Sequence, residues 1–87
     1  MADFKDNVPI KPDGEDTDLS NGYGAGTILF IQNLSSSNLS VDFGGDASAA
    51  NRGVVLRPLE YVIRRLVTTV TGSGNGGFAH VSDTEPA

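Results

Sequence analysis

The chain has 87 residues, no cysteine and a formal net charge of -5. That length holds one small domain with a marginal core, and the missing cysteines exclude disulfide staples and thiolate metal sites. An acidic chain without a lysine cluster argues against broad phosphate-backbone binding and against a polybasic membrane anchor. A small domain with no covalent staple commonly gains stability from oligomerisation or a partner surface, which points to an assembly component. Residues 1–6 lack the apolar core of a secretory leader, and the longest apolar run, residues 28–31, is far short of a membrane span. The expectation is a protein made in a cytoplasm, with no membrane partner.

Residues 1–26 read as an extended, acidic arm ending in a glycine joint. Asp3, Asp6, Asp13, Glu15, Asp16 and Asp18 stand against Lys5 and Lys11 there. Pro9 and Pro12 hold the backbone away from helix, and no hydrophobic period runs through the segment. A disordered tail has this composition. So does an arm that orders on a neighbouring subunit, with Phe4, Val8 and Ile10 as its anchors.

Residues 27–82 read as a β domain. Residues 27–34 are rich in Ile, Leu and Phe, which predicts a strand buried on both faces. Residues 35–38 supply a Ser/Asn turn. Leu39, Val41 and Phe43 then alternate with Ser40 and Asp42, so the whole phrase predicts a hairpin that ends at Gly44 and Gly45. Residues 44–53 form a loop of small residues. Residues 54–56 make a third strand, and Arg57-Pro58 marks a corner.

Residues 59–71 are ambiguous. Leu59, Val62, Ile63, Leu66, Val67 and Val70 fall on a helical stripe, and Pro58 suits a helix start. Against this, residues 67–71 are almost entirely β-branched, and Leu59, Tyr61 and Ile63 alternate. The balance favours two strands, residues 60–64 and 66–71, with a bend at Arg64-Arg65. A glycine-rich loop (72–77), a closing strand (78–82) and a polar tail (83–87) complete the chain. The fold class expected is all-β: a small antiparallel sandwich or barrel of about 5–6 strands with an extended N-terminal arm.

No stretch of the chain makes a persuasive catalytic or metal site. Gly72, Gly74 and Gly77 spell a G-x-G-x-x-G motif, but a dinucleotide site needs a helix opening there, and the segment after Gly77 is short and β-like. His80 is the only histidine and has no ligand-spaced partner. The acidic run from Asp13 to Asp18 fails the EF-hand pattern, because Asn21 and Thr27 stand where glycine and glutamate belong. No serine has a recognisable base beside it. The Asn33 and Asn38 sequons read as chance in a Ser/Asn turn. Arg52, Arg57, Arg64 and Arg65 form the basic group, either as a partner-binding face or as dispersed surface charge. No enzyme activity and no cofactor are expected.

The segments Ile31-Gln32-Asn33-Leu34-Ser35, Leu39-Ser40-Val41-Asp42-Phe43-Gly44-Gly45, Ala47-Ser48, Asn51-Arg52-Gly53, Val55-Leu56 and Pro58 together resemble small bacteriophage virion proteins. These carry an I-x-N-x-S, V-x-x-G, S-x-x-N-G-x-x-L-x-P-G-E pattern and end in a short Val/Ser strand, as Val81-Ser82 does. The resemblance covers roughly residues 28–82. The chain departs from it at Arg52, which is inserted, and at Leu59, where the family has glycine, so the corner after Pro58 is expected to be built differently. The resemblance implies a β-sandwich-like part of a phage particle without enzymatic activity. Such a part would be a capsid decoration or cement protein bound to the major capsid protein and self-associated, as a trimer if a cement. The other implied place is a neck, tail or fibre. Direct nucleic-acid binding is not implied.

Overall fold

The computed structural model describes residues 7–44 and 53–83. Among them are eight strands and no helix, more strands than the sequence predicts. In chain order they are β1 (Asn7–Pro9), β2 (Asp16–Asp18), β3 (Ile28–Asn33), β4 (Leu39–Asp42), β5 (Gly53–Leu56), β6 (Tyr61–Arg65), β7 (Thr71–Ser73) and β8 (Phe78–Asp83). They form two four-stranded antiparallel sheets, β1-β8-β3-β6 and β2-β7-β4-β5. The connections from β1 to β2, β3 to β4, β5 to β6 and β7 to β8 each pass from one sheet to the other. The short connections from β1 to β2 and from β5 to β6 keep β1 and β2 at one pair of sheet edges and β5 and β6 at the other.

The core lies between the sheets. Leu29 and Ile31 of β3 and Ala79 and Val81 of β8 meet Leu39 and Val41 of β4 and Leu56 of β5. Alternation decides which side chains face inward, because a strand turns successive residues to opposite faces. Burying one of these aliphatic side chains contributes about 2 kcal/mol.

The expected arm is corrected for its described part. β1 is an edge strand on β8 and β2 an edge strand on β7. Ile10 and Leu19 are buried in the core, and Val8 packs against it. Val8 and Ile10 are therefore used by this chain's own core rather than held out for a neighbour. Hydrogen bonds pin the segment further: Ile10 N–H to Gly77 O at 2.9 Å, and Gly14 N–H to Gly74 O at 2.9 Å. Strands of three residues are too short for alternation to announce them. Phe4 lies outside the described residues, as do Arg52 and most of the 44–53 loop.

Three further expectations change. The phrase around Ser35 is not a hairpin, since β3 and β4 lie in different sheets. β3 is buried on one face only: Leu29, Ile31 and Asn33 point inward while Ile28, Phe30 and Gln32 point outward. Residues 66–71 are not a strand. Residues 66–70 carry the chain from β6 to β7, with Leu66 and Val70 turned into the core. Leu66 N–H donates to Thr27 O at 2.7 Å, and Val70 O accepts from Leu19 N–H at 2.7 Å. The β-branched run thus bridges the two sheets, and β7 begins only at Thr71. The alternation of Leu39, Val41 and Phe43 holds, all three being buried, and the closing strand holds as β8.

Candidate interaction surface

The two outer faces differ in chemistry. On the β2-β7-β4-β5 sheet the outward positions are Asp16, Asp18, Thr71, Ser73, Ser40 and Asp42, a mostly polar face whose exposed apolar side chain is Val55, opposite Ser40 on β5. On the β1-β8-β3-β6 sheet the same alternation turns out Phe78, His80 and Ser82 from β8, Ile28, Phe30 and Gln32 from β3, Tyr61, Ile63 and Arg65 from β6 and Asn7 from β1, so aromatic and aliphatic side chains are set among a few polar ones. The Phe30 and Tyr61 rings stack with centroids 5.1 Å apart, and His80 meets Phe30 edge-on at 6.0 Å. Stacked and edge-on pairs fix these rings in place and add to their area burial. Tyr61 is 58% exposed, Ile63 53% and Phe78 52%. Contiguous exposed apolar area on a small domain marks an interaction site.

This apolar surface continues around the β5–β6 edge. A groove of about 510 Å³ lies there, lined by Val54, Val55, Leu56, Leu59, Glu60 and Tyr61. Its most exposed apolar side chain is Leu59, 68% exposed. Leu59 sits in the turn that joins the sheets, with Pro58 before it and Glu60 N–H donating to Arg57 O at 3.0 Å. Its φ is +71°. That is the geometry of a type II turn, whose third residue normally is glycine. A left-handed leucine costs about 1–2 kcal/mol.

The corner after Pro58 therefore keeps a glycine-type backbone with a leucine placed on it. The surroundings enforce the conformation. Leu59 N–H donates to Asn33 O at 2.7 Å, Gln32 Nε2 donates to Leu59 O at 2.9 Å, and Arg57 N–H donates to Glu60 Oε1 at 2.7 Å.

Behind the turn stands Asn33, fully buried. Its Nδ2 donates to Ser37 O at 2.8 Å and to Leu56 O at 2.9 Å, and its Oδ1 accepts from Ser35 N–H at 2.9 Å and from Ser35 Oγ at 2.7 Å. A buried amide with every polar atom partnered fixes local geometry strongly. Asn33, read from the sequence as a strand residue, and Ser35, read as a turn residue, form the latch that holds the β3–β4 connection, the end of β5 and the Leu59 turn together.

The basic group is only partly gathered. Arg57 is exposed on the turn, Arg65 points outward from β6, and Arg64 lies on the inward register with its guanidinium 4.6 Å over the Phe43 ring centroid. All three belong to the β5–β6 edge, but they do not share a face. His80 Nδ1 lies 3.1 Å from Asn7 Oδ1, across the β1–β8 pair. Gly72 is buried inside β7 and Gly77 is followed by strand β8, so the G-x-G-x-x-G run opens no helix. Among the described residues no three His, Asp or Glu side chains gather where they could hold a metal ion.

The sequence signals for this surface are present but weak. Ile28 and Phe30 merge into an apolar run, and the alternation of Tyr61 with Ile63 competes with a helical stripe. Comparison of the chain with protein-family models, with curated proteins and with solved structures finds no match.

Proposed function

We propose that this chain is a non-catalytic structural protein of a bacteriophage particle, built as a small β-sandwich module that works by docking. The observation that carries the reading is the apolar surface running from the Phe30–Tyr61 stack to Leu59, while the opposite sheet face is polar apart from Val55 at its β5 edge. The sequence resemblance across residues 28–82 supports the virion assignment. The place in the particle is the capsid surface, as a decoration or cement protein on the major capsid protein. A neck, tail or fibre module is the second reading, favoured by the same surface if it is present in few copies.

The test is to purify particles and quantify this protein against the major capsid protein. Copies in proportion to the shell are expected. A single ring's worth would move the module to the neck or tail, and absence from particles would overturn the reading. A Tyr61→Ser, Ile63→Ser double variant, confirmed as folded by circular dichroism, is expected to lose most of its occupancy.

A further inference from the structure

We propose that copies of this chain associate head to tail, the β5–β6 edge of one docking on the β1–β2 edge of the next. The proposal rests on the assembly reading above and deepens it by naming one partner of that surface as a second copy.

The strand order places these two edges on opposite sides of the domain. Within the described structure, each of the four strands there is hydrogen-bonded to a strand on one side only. Natural edge strands are usually shortened, charged or covered, and an apolar one invites pairing with another chain. β1 and β2 are shortened to three residues each, and β1 ends in Pro9. The β5–β6 edge instead carries Val55, Leu59, Tyr61 and Ile63, all more than half exposed.

Charge selects the occupant. From the end of β5 through β6, Arg57 and Arg65 are presented against Glu60, a net +1, with Arg64 turned inward over Phe43. From the end of β1 through β2, Asp13, Glu15, Asp16 and Asp18 stand against Lys11, a net -3. A symmetric contact through the β5–β6 edge would set one basic edge against another. A head-to-tail contact brings the basic edge to the acidic one, where Pro9 and the exposed Phe78 also offer apolar area. Complementary potentials of this kind steer encounter and suppress the wrong pairing. A repeated head-to-tail contact closes into a ring if its rotation allows and otherwise extends as a filament.

Leu59 adds a second, independent observation. An exposed leucine held left-handed lowers the stability of the free chain, and glycine would remove that strain. Backbone strain maintained by its surroundings points to use at a binding or switching site. Here the leucine is the most exposed apolar side chain of the edge, held by a hydrogen-bonded turn over the groove.

The experiment is sedimentation velocity on the purified full chain and on two charge-reversed variants. Arg57→Glu with Arg65→Glu turns the basic edge acidic. Glu15→Lys with Asp16→Lys turns the acidic edge basic. The wild type is expected to associate with rising concentration, and less so at high salt. Each variant alone is expected to associate about a hundredfold more weakly, the sum of several surface charge pairs. An equimolar mixture of the two is expected to recover association, because each then meets an edge of opposite charge. Neutral variants, Arg57→Gln with Arg65→Gln, keep the test open should a reversed variant misfold, and they are expected to weaken association without rescue by mixing. A wild type that stays monomeric at every concentration would overturn the proposal, and so would a mixture no better than its components. Since particle occupancy is read separately, a monomer that still fills particles would refute this docking and leave the virion reading standing.

Discussion

Asn33→Asp is expected to cost the domain about 4 kcal/mol, about a third or more of its stability at about 0.05–0.15 kcal/mol per residue over 87 residues. The wild-type Nδ2 donates to Ser37 O and Leu56 O inside the fold. A carboxylate there loses both donors and sets negative charge against two carbonyl oxygens. Leu56 O loses the side-chain donor at a cost of about 1–3 kcal/mol, Ser37 O keeps the Ser35 hydroxyl at 2.8 Å, and the uncompensated buried charge adds the rest. Asn33→Ala removes the donors without adding charge and is expected to cost about 2–3 kcal/mol. Urea unfolding followed by circular dichroism gives both values. Midpoints equal to the wild type would mean that the latch does not hold the β5 end. Because Asn33 O also accepts from Leu59 N–H, a partly unfolded latch would release the turn that presents the docking edge.

Gly77→Ala is expected to cost about 3 kcal/mol, and Gly76→Ala about 1 kcal/mol, from the left-handed penalty of about 1–2 kcal/mol that both carry and the crowding that only Gly77 adds. The two glycines are neighbours with nearly the same backbone, φ +78° at Gly77 and +79° at Gly76. They differ in space. A Cβ on Gly77 would stand 2.5 Å from the Ser35 Cβ and 3.0 Å from its Cα, whereas one on Gly76 meets nothing within 4 Å. Ser35 cannot yield, because its hydroxyl and its N–H both bond Asn33 Oδ1. Overpacking a rigid site of this kind adds about 1–3 kcal/mol. The difference between the two urea midpoints isolates the contact. Equal losses would show that the β3–β4 connection moves aside freely.

How far the sequence discloses this arrangement varies by element. Leu39, Val41 and Phe43 alternate over enough residues to expose the β4 pattern without ambiguity. Phe78 to Ser82 does the same for β8. The N-terminal strands stay hidden because three residues cannot show a period, and because Pro9, Pro12 and a run of aspartates carry the composition of a tail. Nothing local marks Ile10 and Leu19 as core; they become core only when residues 7–19 fold over β7 and β8. The 66–70 segment misleads for a different reason. β-branched residues favour a pleated, half-buried surface, and here that surface is a crossing between sheets.

The candidate surface is harder still to read. Outward and inward faces of β3 are both apolar, so Ile28 and Phe30 look like core until the partner strands are known. The basic group is visible, but residue spacing alone cannot show that Arg64 turns inward over Phe43 while Arg65 turns out. Leu59 is legible only as a departure from the glycine of a resembling pattern. Its meaning depends on a φ of +71° that the sequence does not display.

The proposed docking accounts for a Leu59 held left-handed at a cost to the free chain. The measurement that tests this claim most directly is thermal melting of the wild type and of Leu59→Gly across a concentration series. Association stabilises the folded state by mass action, so an associating chain melts higher as concentration rises. Leu59→Gly is expected to melt about 4–8 °C above the wild type when dilute, from about 1 kcal/mol of relieved strain in a domain of this size. Its midpoint is expected to stay nearly flat with concentration while that of the wild type climbs towards it. A Leu59→Gly variant that melts below the dilute wild type, or that keeps the same concentration dependence, would contradict the claim.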